Sequence, residues 1–80
     1  MAKFELYSDV QLAKDLPDKG FIKGDVATIV DILPSPSGKT GYCLEFFDKK
    51  GNTLDVTIVD EDDIHYPFEH AVVHYRQLSH

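Results

Sequence analysis

Four consecutive acidic residues, Asp60-Glu61-Asp62-Asp63, form the densest group of ionisable side chains in this 80-residue chain. Their carboxylates have the chemistry to bind a metal cation or a basic protein surface. A calcium loop needs ligands at alternating positions around a central glycine, and this run has neither. We therefore predict an acidic turn, which is either simply solvated or an electrostatic docking patch for a basic partner.

Three histidines near the C-terminus, His65, His70 and His74, could hold a metal ion. On a helix His70 and His74 share one face with Glu69 nearby, an arrangement that suits zinc. The zincin motif has glutamate directly after its first histidine, where this chain has Ala71. On a strand the same two histidines lie ~13 Å apart, too far to share an ion. We predict surface or interface histidines, with no metal and no other cofactor.

Two further segments resemble fragments of catalytic sites. Gly38-Lys39-Thr40 matches the end of a phosphate-binding loop, but Leu33 stands where that loop has its first glycine. A strand is predicted after this fragment, whereas a phosphate loop is followed by a helix. Cys43 lies in an apolar segment and has no charged neighbour in the sequence to activate its thiol. We predict that the protein is not an enzyme.

The charge balance narrows the choice of partner. Fourteen acidic residues against eight basic ones give a net charge of −6. Such a chain repels phosphate backbones on average, so nucleic acid is not the expected partner, and another protein, possibly a basic one, is. The exception would be a local basic patch formed by Lys14, Lys19 and Lys23, which lie close in the sequence.

Composition also indicates the compartment. Cys43 is the single cysteine, so the chain cannot form an internal disulfide, as is usual in a reducing environment. The first residues lack the apolar core of a signal peptide, and no apolar run approaches the ~20 residues of a membrane span. We expect a cytoplasmic protein that does not enter a membrane.

Several short strands must position these side chains. The central strand is predicted over Val26–Leu33, where β-branched residues are dense and both alternating faces are largely apolar. One face would carry Val26, Thr28, Val30 and Ile32, and the other Ala27, Ile29, Asp31 and Leu33. The flanking segments predict an opening strand over residues 4–12, either continuous or interrupted near Ser8-Asp9. A strand over Gly41–Phe47 would place Tyr42, Leu44 and Phe46 on one face. A returning strand over 53–59 would have Leu54, Val56 and Ile58 facing one way.

These strands and their tight turns predict one mainly β domain over residues 1–80. A small, strongly bent barrel is the economical way to cover the strand edges. The core would span about residues 5–64, and residues 65–80 would form a C-terminal extension. The extension reads as helix or strand, and Val72, Val73 and Tyr75 favour a strand.

Several blocks keep a recognisable order and spacing: Leu6-Tyr7-Ser8-Asp9-Val10, Leu16-Pro17, Lys23-Gly24-Asp25, Tyr42-Cys43-Leu44-Glu45-Phe46 and Gly51-Asn52-Thr53. Together they resemble a family of short bacterial domains of unknown function. The resemblance covers residues 5–64 and implies an SH3-like barrel of about five antiparallel strands, with no established activity. A weaker similarity is to the KOW element of ribosomal and transcription-elongation proteins, but Ala27 replaces its RNA-contacting glycine.

From these observations we predict a non-enzymatic protein-binding module, in its most concrete form an acidic antitoxin or immunity-type inhibitor. The main alternative is a KOW-like nucleic-acid-associated module, and a metal protein using the C-terminal histidines is the third. Interfaces favour aromatic side chains, and the unpaired strand edges of such a barrel would allow two copies to form a homodimer. The predicted partner-binding residues are acidic or aromatic: Asp60, Glu61, Asp62, Asp63, Tyr66, Phe68 and Tyr75.

Overall fold

The structure is a computed structural model of the chain and describes residues 2–36 and 38–67. Five strands pair antiparallel in one sheet of order β4-β3-β2-β1-β5. The strands are β1 (Asp9–Leu12), β2 (Val26–Leu33), β3 (Gly41–Phe47), β4 (Thr53–Asp60) and β5 (Ile64–His65), with 3-10 turns at Pro17–Lys19 and Glu61–Asp63. The prediction of a mainly β domain with five antiparallel strands is confirmed, and so is the central position of β2.

The sheet is open, with β4 and β5 as its edges, and it must curve strongly. The chain passes from the end of β4 to the start of β5 through the three residues Glu61–Asp63. In a flat sheet these two strands would be four spacings apart, or ~19 Å. The chain from Asp60 to Ile64 reaches at most ~14 Å. The two edges therefore approach each other, and the concave side of the sheet encloses the core.

Every strand contributes to one apolar core. Phe21 and Phe46 stack with ring centroids 3.8 Å apart, and Phe4 meets Tyr42 edge-on at 5.3 Å. The predicted common face of Tyr42, Leu44 and Phe46 in β3 is confirmed, since all three side chains are fully buried. The buried apolar residues are Phe4, Val10, Leu12, Phe21, Ala27, Ile29, Tyr42, Leu44, Phe46, Val59 and Ile64.

A β-bulge in β2 reverses the side-chain alternation halfway along the strand. The register against β3 shifts between Ile29 and Asp31, which makes Val30 an extra residue. Beyond it Ile32 packs against the core, whereas Asp31 is exposed. The predicted assignment of whole faces in β2 is therefore wrong after Val30. Because side chains alternate with period two, one inserted residue moves all later ones to the opposite face.

A second register shift changes β4. It falls between Phe46 and Phe47 of β3 and places Leu54 against the core. Val56 and Ile58 point to the opposite side and are 46% and 64% exposed. The prediction that all three residues face one way is wrong for Leu54, and β4 presents two branched apolar side chains to solvent.

The N-terminal residues form a turn rather than the first half of a strand. Tyr7 has φ 65°, the one positive φ at a described residue other than glycine. Its amide donates to the Ile29 carbonyl at 2.7 Å, and the Ile29 amide donates to the Ser8 carbonyl at 3.0 Å. The predicted opening strand is thus reduced to Asp9–Leu12. Within the described residues, no helix has the length and apolarity that a membrane crossing requires.

We expect Tyr42→Phe to destabilise the fold by about 1–3 kcal/mol, because its buried hydroxyl accepts backbone amides that lose their partner. These are the amides of Lys3 and Phe4, at 2.9 and 3.2 Å. Tyr66→Phe is the matched control, since its hydroxyl accepts one amide, from Glu5 at 2.9 Å, at an exposed position. Urea denaturation measures both. Equal losses in the two variants would contradict the buried role of Tyr42.

Candidate functional site

The predicted acidic turn is present as the 3-10 turn Glu61–Asp63, and its own carboxylates hold it. The Asp60 side chain accepts the amide of Asp62 at 2.8 Å, and the Asp63 side chain accepts the amide of Asp60 at 3.0 Å. This reciprocal capping box satisfies amides that a helix start leaves unpaired. Two of the four carboxylates are therefore structural parts of the turn.

Lysines from distant parts of the chain pair with the same turn. Lys39 Nζ lies 2.7 Å from Asp62 Oδ2, Lys14 Nζ lies 2.9 Å from Asp63 Oδ1, and Lys3 Nζ lies 3.7 Å from Glu61 Oε2. The hydrogen bond from Lys39 lowers the pKa of Asp62 and is also the main reason that the Lys39 pKa is raised. Three lysines thus oppose four carboxylates, and little unbalanced charge remains at the turn.

We expect the free energy of unfolding to be greatest between the low pH at which Asp62 gains a proton and the high pH at which Lys39 loses one. The pKa of Asp62 lies below its ordinary value of 3.8, so its contribution is present above pH 3.8 and is lost as the pH falls further. The pKa of Lys39 lies above 10.5, so its contribution is present below pH 10.5 and is lost as the pH rises through the folded value. Urea midpoints across this range measure both limbs. Asp62→Asn should flatten the acid limb, and an unchanged acid limb would refute the pairing.

The predicted aromatic residues are only partly within the described residues. Tyr66 is 41% exposed and its ring lies edge-on to Phe4 at 5.0 Å. Phe68 and Tyr75 lie outside the described residues, as do His70 and His74. Among the described residues, no three histidine, cysteine, aspartate or glutamate side chains are grouped so that they could hold a metal ion.

The lysines considered for a nucleic-acid patch point to different acidic partners. Lys14 pairs with Asp63, and Lys19 Nζ lies 3.6 Å from Asp55 Oδ2, near the other end of β4. The backbone amide of Lys23 donates to Asp15 at 2.8 Å. The charges of Lys14 and Lys19 are therefore paired within the chain, with acidic residues at separate places.

The convex side of the sheet forms a second candidate surface, which the sequence interpretation did not include. We call it the outer face. Its members are the residues of β1 to β4 whose register places them opposite the core side: Asp9, Gln11, Val26, Thr28, Asp31, Leu33, Gly41, Cys43, Glu45, Phe47, Thr53, Val56, Ile58 and Asp60. Glu45 lies directly opposite Val56 and Cys43 opposite Ile58, so the exposed apolar side chains of β4 lie next to a carboxylate and a thiol of β3.

The outer face carries negative charge, and within the described residues its nearest cation is Lys39, which lies 3.9 Å from Asp60 at the groove end. The strands β1 to β4 contain no lysine or arginine. Among the ion pairs of the described residues, none involves Asp31 or Glu45. Glu45 accepts the Thr53 hydroxyl, and Asp31 accepts the amide of Ile32 at 2.9 Å, so both carboxylates are held in place. The absence of lysine and arginine from these strands could be read from the sequence. The side that Asp31 faces could not, because it depends on the bulge in β2.

One end of the outer face opens into a groove of about 620 Å³. Leu33 and Ile58 line it beside Gly41, together with the two prolines of the β2–β3 loop, Lys39 and Asp60. This loop carries the Gly38-Lys39-Thr40 segment, which leads into strand β3 and pairs with the acidic turn. The groove therefore joins the apolar part of the outer face to the acidic turn.

These features define a small β domain whose most distinctive surface is a mixed apolar and acidic sheet face. The chain belongs to the family described as Domain of unknown function (DUF4926), whose model matches residues 6–66. This match confirms the resemblance to a domain family of unknown function. Comparisons with curated proteins and with solved structures gave no match. The SH3-like assignment therefore stays a prediction.

Proposed function

We propose that this protein is a non-enzymatic module that binds another protein through the outer face. The supporting observation is the exposure of Ile58 and Val56 beside Asp31 and Glu45, carboxylates for which the described residues supply no cation. Apolar area supplies affinity when it is buried, and unpaired carboxylates give specificity and faster association with a basic partner. A basic protein surface with apolar side chains complements both features.

The finer form of the proposal is an inhibitor of the antitoxin or immunity type that acts in the cytoplasm. Such a protein would cover a basic active site on its partner with its carboxylates. The net charge of −6 supports this form, because long-range attraction speeds the encounter with a basic target. The product of a neighbouring gene is the first partner to test, by co-expression and measurement of a stoichiometric complex from purified components.

We expect the double variant Asp31→Asn, Glu45→Gln to weaken partner binding by about 10-fold at low salt, with a smaller effect at high salt. The amide side chains retain an acceptor for the amide of Ile32 and the hydroxyl of Thr53, so the fold should be unaffected. Titration calorimetry at both salt concentrations measures the change.

The double variant Glu5→Gln, Asp18→Asn is the matched control, since it makes the same chemical changes at exposed positions away from the outer face. It should change affinity by less than about 2-fold, through the net charge alone. Equal weakening by the two double variants would reject the outer face as the contact surface. Salt-dependent retention of the protein on RNA or DNA would instead favour the KOW-like alternative.

A further inference from the structure

Gly41 is a strand residue whose backbone does not require glycine. It begins β3, pairs with Leu33 on one side and Asp60 on the other, and is absent from the glycines with positive φ. Glycine in a strand loses more conformational entropy on folding than other residues and has no side chain to pack. A strand glycine often marks a bulge, a tight bend, or a place where a ligand or another backbone approaches closely, and no register shift falls at Gly41.

The space above Gly41 is a notch between two apolar side chains. A Cβ placed on Gly41 would lie 3.6 Å from the Leu33 Cβ and 3.7 Å from the Ile58 Cγ2. These are ordinary van der Waals distances, so alanine fits this position without a clash. The glycine leaves an opening between Leu33 and Ile58, within the groove at the end of the outer face.

A carboxylate that has no ion pair within the described residues lies close to the notch. Asp31 is two residues from Leu33 on β2 and therefore diagonal to Gly41, at about 7 Å between Cα atoms. Residues i and i+2 of an extended peptide are also about 7 Å apart and point to the same side. A peptide that places one side chain over Gly41 can thus place its second neighbour beside Asp31.

We propose that the notch binds an apolar side chain of leucine size from an extended segment of the basic partner, and that Asp31 binds a cationic side chain two residues away in that segment. This inference rests on the proposed function and specifies its partner as an apolar-x-basic sequence. Leu33 and Ile58 supply the apolar contacts on each side, and Asp31 supplies the charge complementarity.

The test uses a capped pentapeptide, Ser-Leu-Ser-Arg-Ser, and amide chemical shifts of the isotope-labelled full chain. We expect the peptide to shift the amides of Leu33, Gly41 and Ile58, and the peptide with serine in place of leucine to bind at least about 5-fold more weakly, because it lacks the apolar contact. Gly41→Ala should weaken binding of the leucine peptide by about 5-fold, because the methyl group fills the notch. The same variant should melt no lower than the wild type.

Ile22→Val is the control, since it removes one methylene at an exposed position outside the outer face and should leave peptide binding unchanged. Equal peptide binding by Gly41→Ala and the wild type would overturn the proposal that the notch binds an apolar side chain. Equal binding of the leucine and serine peptides would do the same. Absence of any shift in the wild type would overturn it as well. The outer face itself is decided separately, by the charge variants and the purified partner.

Discussion

Replacing Phe46 by alanine is expected to leave a large fraction of the protein unfolded at room temperature. Phe46 is fully buried and stacks on Phe21 with ring centroids 3.8 Å apart. A buried phenylalanine replaced by alanine costs about 3–5 kcal/mol. The core of a domain this small rarely supplies more than about 3–5 kcal/mol of net stability. The loss is therefore comparable to the whole free energy of unfolding.

Phe47→Ala is the matched control for this prediction, because the neighbouring phenylalanine pairs on the outer side of β3 and is 36% exposed. Its removal should cost roughly 1 kcal/mol, since much of its surface already contacts water. Circular dichroism with urea denaturation measures both variants. A cooperative transition of Phe46→Ala at the wild-type midpoint would show that the stacked pair does not stabilise the core as described.

The second large effect is expected for Ile58→Lys, which should abolish partner binding while the fold persists. Ile58 is 64% exposed on the edge strand β4, where it lies opposite Cys43 and beside the Gly41 notch. A lysine there removes an apolar contact and places a cation against a basic partner. We expect a loss of at least about 100-fold in affinity, the size of effect seen at the few residues that dominate an interface.

Ile22→Lys controls for the added charge, since Ile22 is also exposed, at 48%, but lies outside the strands that form the outer face. This control should retain most of its affinity. Both variants should unfold at the wild-type urea midpoint, which separates a binding defect from misfolding. Undiminished binding by Ile58→Lys would exclude the outer face as the interaction surface.

The sequence predicted those parts of the fold that follow from local patterns. The inward face of β3 follows from strict alternation of Tyr42, Leu44 and Phe46, and the structure confirms it. The acidic turn was predictable because four adjacent carboxylates favour a solvent-exposed turn. The two bulges were not predictable, because a bulge is defined only by the register between two strands. The bulge in β2 placed Asp31 on the outer face.

The candidate site was likewise only partly predictable from the sequence. The acidic run Asp60–Asp63 was evident in the sequence, but its pairing with Lys3, Lys14 and Lys39 was not, since all three lysines lie far from it along the chain. The pairing decides that this run is largely neutralised within the chain. The outer face emerged only when register brought residues of four strands together.

By itself, the sequence determined an acidic, mainly β domain with an alternating central core and its membership of a family of unknown function. The tertiary structure alone decided which carboxylates keep a nearby lysine, which branched side chains reach solvent, and that Gly41 opens a notch between Leu33 and Ile58. The physical reason is the separation along the chain of the residues that interact. Alternation and turn chemistry act between neighbours along the chain, whereas ion pairs, strand register and shared surfaces depend on residues that folding brings together.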